Sequence, residues 1–434
     1  MSFIKNYLSN SLTVLSRLDK FNVDLIWNIV SFFLIGVIGI SLNILILKYY
    51  DSSILGVFNE VYAIYILLSQ VSTGGIHLSL QKYIPQYSNE KRKTDIILLS
   101  AILITFIISS SVTLISYLLR NIPGEILHSE DVTLGFALVI PGLIFFSLNK
   151  VMLSYLAGYR MMKSYAVFVT VRSFLMLIIL ILLIIYNAKG FTTPLILSGA
   201  EIILFIVLII YTTRFWNFIY SRQIFYWFKN HLRFGSKAVI GNILFDCNSR
   251  IDVLILGFYT SENSVGIYSF ASMLSDGFTQ FPIVLRTNIN PILTKCYFSK
   301  GKFVLERIIK RSKKIFDKMV IPAGVVSIIC FPILIRIFEL QEKLSGGWIV
   351  FSILMFGIIL SAGYLPFQLI FNQLGFPGIQ SLFLFLYFLT NVVLNIILVP
   401  IWGMYGSAIA TALAFIAQIF YIKILLMKKI NVKI

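Results

Sequence analysis

The chain has 434 residues, 58% of them hydrophobic and only 12% charged, with a mean hydropathy of +0.90. A soluble domain carries about a quarter charged residues, so this composition excludes a soluble multidomain enzyme. The formal charge of +18 comes from basic residues scattered between apolar runs, the pattern of cytoplasmic loops and not of a nucleic-acid-binding face.

Residues 1–25 read as a cytoplasmic lead-in, because Lys5, Arg17 and Lys20 precede no small-residue cleavage site. Apolar runs long enough for a hydrocarbon core of about 30 Å then recur. They fall at 26–47, 57–80, 96–118, 132–155, 167–186 and 194–211, an N-lobe of six helices over 26–211. An interfacial linker over 212–237 leads to runs at 238–258, 266–290, 319–337, 349–370, 379–399 and 404–426, a C-lobe over 238–426 with a tail at 427–434. The fold class is therefore all-α integral membrane, with twelve transmembrane helices in two six-helix lobes. Continuous runs of this length do not suit a β-barrel.

Loop charge tests the count. With both termini cytoplasmic, 27 Lys and Arg fall inside, counting Lys423 with the tail, against four outside: Lys48, Arg120, Lys189 and Lys343. One missed helix would destroy this alternation. The two long inner loops, 212–237 and 297–318, mix bulky apolar residues with Lys and Arg at helical spacing and read as amphipathic helices on the membrane surface.

The halves echo each other. Leu55-Gly56-Val57-Phe58 resembles Val265-Gly266-Ile267-Tyr268; Tyr83-Ile84-Pro85 parallels Ile289-Asn290-Pro291, and Leu156-Ala157-Gly158-Tyr159 parallels Gln373-Leu374-Gly375-Phe376. All three keep their order. The offset contains an even number of helices, so the lobes share one orientation and surround a central cavity.

Polar stripes mark the faces that lipid would not tolerate. Span 2 carries Asn59, Tyr62, Tyr65, Ser69, Thr73 and His77 at helical spacing, and span 8 carries Ser269, Ser272, Asp276, Thr279, Gln280, Thr287 and Asn290. Span 7 adds Asn242, Asp246 and Arg250, and span 10 adds Ser361, Tyr364, Gln368 and Asn372. Charges within spans are sharper signals, each costing ~2.5 to 3.5 kcal/mol at a helix centre. They are Lys150, Arg172, Glu201, Asp246, Arg250, Asp252, Asp276, Arg286 and Arg336, with Glu60 near a span end. Arg336 and Asp252 lie near outer ends, where snorkelling explains them. Asp246 and Arg250, one turn apart, suit an intrahelical ion pair and a transport role equally well. Arg250, Lys150, Arg172 and Arg286 together would make a cationic lumen fit for phosphate or carboxylate. Asp276 and Glu201 are candidates for ion coupling.

Cys247, Cys296 and Cys330, like His77, His128 and His231, lie far apart in the chain. Neither a metal site nor a disulfide framework is expected, and no cofactor. No nucleotide-binding motif is present.

The run Leu394-Asn-Ile-Ile-Leu-Val-Pro400-Ile-Trp-Gly403-Met-Tyr-Gly406-Ser-Ala-Ile-Ala-Thr411 resembles the late-span hallmark of the polysaccharide exporters in the multidrug/oligosaccharidyl-lipid/polysaccharide (MOP) superfamily. So does Arg250-Ile-Asp252-Val-Leu-Ile-Leu-Gly-Phe-Tyr followed by Val265-Gly-Ile-Tyr-Ser-Phe-Ala271. The stretch from Ala157 to Phe168 and the turn from Asn372 to Pro377 are also similar, and the type most resembled is the Wzx O-antigen flippase. The resemblance implies a two-lobed carrier in the bacterial inner membrane, not an enzyme. Its implied partner is an undecaprenyl-diphosphate-linked oligosaccharide, with other polysaccharide assembly proteins alongside and no nucleic acid. Pro400 is expected to stop span 11, with Gly403 and Gly406 permitting a tight outer turn. The alternatives are a multidrug antiporter of the same fold, a peptidoglycan-precursor flippase, and a membrane glycan polymerase or acyltransferase. The last suits the short outer loops poorly.

Overall fold

The computed structural model describes the backbone of residues 2–217 and 221–432. The side chains of 2–22, 25, 237–247, 281–288, 291–292 and 298–300 lie outside the described residues, and with them the predicted lumen positions Asn242, Asp246 and Arg286. Among the described residues the chain is helical without a strand.

The N-lobe runs α1 (Ser2–Tyr49), α2 (Ser52–Thr73), α3 (Ile76–Gln86), α4 (Lys91–Leu118), α5 (Ile122–Leu127), α6 (Glu130–Val139), α7 (Gly142–Gly158), α8 (Met162–Ile185) and α9 (Leu195–Thr212). The C-lobe runs α10 (Gln223–Asn248), α11 (Ile251–Tyr259), α12 (Glu262–Lys300), α13 (Lys302–Ile337), α14 (Gly347–Ser361), a 3-10 stretch Ala362–Phe367, α15 (Ile370–Gln373) and α16 (Pro377–Leu425). Among the described residues, eight helices are long and apolar enough to cross a membrane, or nine if the pair α6 and α7, bent by 44°, is one span. One of these, α16, is two helices meeting at Gly403 (φ 55°, ψ −131°). Predicted spans 7 and 8 fall on α10–α11 and on α12.

The breaks have local causes. Gly74 and Gly75 both take positive φ, 56° and 68°, so predicted span 2 is two helices and its polar stripe turns a corner before His77. The expected stop at Pro400 is displaced: the helix continues through it, and the chain turns at Gly403, where a left-handed φ favours glycine. The amphipathic segment before span 9 is not a separate surface helix. It is the first half of α13, with Leu305, Ile309 and Phe316 buried while Arg307, Lys310, Arg311 and Lys314 are exposed. At 36 residues and 1.5 Å per residue, α13 exceeds the hydrocarbon thickness and its basic half extends beyond it.

The linker is anchored to the N-lobe. On α10, Trp227 and His231 are buried while Phe225 and Tyr226 face outward. The His231 ring meets Ser79 Oγ at 2.5 Å through Nδ1, and through Nε2 meets the Ile97 carbonyl and Ser100 Oγ, each at 3.2 Å. A Cβ on Gly75 would crowd the backbone of Gly235, so α10 and the corner of span 2 touch backbone to backbone.

At the end that loop charge assigns to the outside, the lobes meet through α2 and α12. A Cβ at Gly56 would overlap the Glu262 carbonyl, and one at Gly266 would overlap that of Ser52. The two glycines of the first sequence echo thus face each other across the seam. Ser52 Oγ hydrogen-bonds Asn263 Oδ1, Ser129 Oγ donates to Glu262, and Lys343 Nζ donates to the carbonyls of Leu47 (2.6 Å), Lys48 (3.0 Å) and Tyr50 (2.8 Å) at the end of α1.

Candidate functional site

Deeper in the bundle the helices part. A cavity of about 210 Å³ lies among α1, α2, α8 and α12, lined by Asn43, Asn59, Tyr62, Arg172, Ser173, Arg250 and Met273. A second, of about 330 Å³, lies within the C-lobe and is lined by Asn248, Arg250, Asp276, Thr279, Gln280, Gln368 and Tyr387. Arg250 belongs to both walls. It occupies the break between α10 and α11 (φ −139°, ψ −7°), which turns its side chain out of a regular helical ladder. Its guanidinium lies 5.2 Å from the Tyr62 ring centroid. Arg250 forms no ion pair among the described residues, and its Nε is buried without a hydrogen-bond partner. A desolvated guanidinium with open donors in a polar cavity is suited to phosphate or carboxylate oxygens.

The other predicted cations differ. Arg172 reaches the same cavity as Arg250 but is ion-paired with Glu201, and its guanidinium lies 5.4 Å from Phe146. Glu201 also accepts from Asn149 Nδ2 at 2.7 Å, so this ion-coupling candidate is neutralised within the N-lobe. Lys150 donates to Gln70 Oε1 at 3.1 Å. Ser69 and Thr73 are buried and donate to carbonyls of their own helix, Ile66 at 2.7 Å and Ser69 at 2.5 Å. Asp276 and Gln280 share the C-lobe cavity with Arg250. Asp252 does not snorkel. It is 5% exposed and accepts from the Tyr268 hydroxyl at 2.5 Å and the Val253 amide at 2.9 Å.

Asn43, Gln368 and Tyr387 complete the cavities. Gln368 stands on the predicted polar stripe of span 10. Asn43 is flanked by apolar residues and no periodicity marks it, whereas Tyr387, Asn391 and Asn395 recur at four-residue spacing, a helical stripe that could have marked span 11.

Residues 24–295 match the family model described as "Polysaccharide biosynthesis protein". The chain belongs to this family. The family includes more than half of the chain and contains Arg250 and Asp276. Among curated relatives, "Uncharacterized membrane protein MJ1068" of Methanocaldococcus jannaschii is 22% identical across 91% of this chain and 82% of its own length. "Probable flippase AglR" of Haloferax volcanii is 26% identical, over 38% of this chain and 35% of that protein. Among solved structures, "Lipid II flippase MurJ, inward closed conformation" aligns with a TM-score of 0.76 at 17% identity, covering 94% of this chain and 88% of that one. The inward-facing structure of a multidrug resistance MATE family transporter aligns at 0.68 and 15% identity, covering 88% and 92%. The chain thus has the fold of these transporters and belongs to a family of polysaccharide biosynthesis proteins.

Proposed function

We propose that this family member flips an undecaprenyl-diphosphate-linked oligosaccharide, an O-antigen or capsule repeat unit, across a bacterial inner membrane by alternating access. The excess of Lys and Arg in alternate loops supports a cytoplasmic position for both termini. A sugar chain cannot cross hydrocarbon with its hydroxyls unsatisfied. The Asn, Gln, Thr and Tyr side chains of the two cavities replace water, while the lipid tail stays in the bilayer. The observation that carries the reading is Arg250, an arginine without an ion-pair partner among the described residues, in the wall shared by both cavities. A diphosphate needs such a counter-charge, whereas a carrier for cationic drugs would be opposed by it.

Deleting the gene and identifying the lipid-linked oligosaccharide that accumulates on the inner leaflet tests the substrate class. Complementation at equal expression with Arg250→Ala and Asp276→Asn tests the site. Loss of surface polysaccharide, at least tenfold for Arg250→Ala, is expected; full restoration by both variants overturns the lumen assignment.

A further inference from the structure

The outer seam contains a charge problem that the transport reading does not use. Glu60, one turn below Gly56 on α2, is 1% exposed, and its Oε2 has no hydrogen-bond partner. A Cβ on Gly257 of α11 would overlap its Oε1, and Leu127 of α5 adjoins the same point, so the carboxyl is enclosed by apolar groups from both lobes. The charged group acting on it is a second carboxylate, Glu262 of α12, held by Ser129 Oγ. Neither glutamate forms a salt bridge among the described residues. Of the other titratable groups on the surrounding elements, Asp252 of α11 is bonded to Tyr268, Glu125, His128 and Glu130 are exposed, and Asp131 of α6 is half-buried.

A carboxylate enclosed as Glu60 is, facing the half-buried carboxylate of Glu262 and no cation among the described residues, remains ionised only at high cost. We infer that the seam between Glu60 and Glu262 is a proton-binding site, occupied when the lobes close at the outer end and emptied when they part. In the closed state the proton resides on Glu60, whose Oε2 has no donor among the described residues. Opening admits water around both groups, and the proton leaves to the outer solution. The outer gate thus takes up a proton from the outer solution in each closure and returns it on opening, which makes the closed-to-open balance depend on the outer pH. This rests on the alternating-access reading but not on the identity of the substrate.

The test needs no substrate. Spin labels at Tyr49→Cys and Glu342→Cys, both exposed beside the seam, report its width in lipid nanodiscs, with Cys247, Cys296 and Cys330 replaced by Ser. For one proton taken up on closure, the closed-to-open ratio falls by up to tenfold per pH unit as pH rises. Glu60→Gln, which mimics the protonated group, should hold the closed distance and abolish the slope, while Glu60→Asp retains it. Glu262→Gln removes the repulsion and should shift the midpoint by at least one pH unit. An unchanged slope in Glu60→Gln, a wild-type distance independent of pH, or a distance that follows sodium when choline replaces it would each overturn the proposal. If Glu60→Gln fails to fold, an unshifted midpoint in Glu262→Gln overturns it alone. A failed complementation assay with an intact pH slope would fault the substrate reading and leave this one standing.

Discussion

Lys343 reaches from the loop before α14 to the end of α1 and donates to the Leu47 carbonyl at 2.6 Å, joining residues 296 apart in the sequence. The bonds to Lys48 and Tyr50 complete its three donors, so the ammonium caps carbonyls that the helix leaves unpaired. All three bonds cross between the lobes and must break whenever the outer end opens.

Lys343→Met should therefore favour the outward-open state, widening the Tyr49–Glu342 label distance at fixed pH. The residue is half-buried, so the loss is expected to be about 1 kcal/mol, below the range for well-enclosed bonds to a charged group. Lys343→Arg should restore part of it. An unchanged distance in Lys343→Met would show that the contact contributes nothing to closure.

At the glycine crossing, Gly266→Ala places a methyl group against the Ser52 carbonyl. The lobes must separate or shift to admit it, at a cost of about 1–3 kcal/mol. The expected result is a lower thermal midpoint and loss of complementation. Gly277→Ala, on the same helix with open space around the added methyl, should leave both unchanged.

The Arg172–Glu201 pair separates stability from transport. Glu201→Gln leaves a guanidinium without its counter-charge; because the Arg172 side chain is 27% exposed, the cost should lie near the lower end of about 3–5 kcal/mol. Arg172→Met with Glu201→Leu should recover most of the thermal stability. If Arg172 also contacts the diphosphate, the double variant stays inactive despite folding; restored surface polysaccharide would confine the pair to a structural role.

His231→Ala removes a fully buried ring from between α3 and α4 and leaves Ser79 and Ser100 short of a partner. A loss of about 2–4 kcal/mol is expected from the cavity and the unmet hydrogen bonds. Thermal unfolding in detergent reads it directly, and increased proteolysis within residues 213–222 would accompany release of the linker.

Much of this architecture is legible in the residue pattern, because lipid imposes a simple rule: long apolar runs become helices, and loop charge orients them. The glycine echo at positions 56 and 266 also proved spatial. What escapes is everything decided between distant segments. Asp252 reads as a snorkelling residue until Tyr268 is brought to its carboxylate. Glu201 reads as a lone carboxylate within a span until Arg172 and Asn149 are brought to it. The corner at Gly74 and Gly75 bends a stripe that a uniform helical period draws straight.

Gly56 and Gly266 stand in corresponding places of the two halves and touch each other's helices. Such a reciprocal contact is what an isologous homodimer makes with itself. Genetic fusion of two copies of an ancestral half would produce it, and it would let the halves diverge chemically while retaining a common hinge line. Severed between residues 213 and 222 and co-expressed, the two fragments should find each other and reassemble.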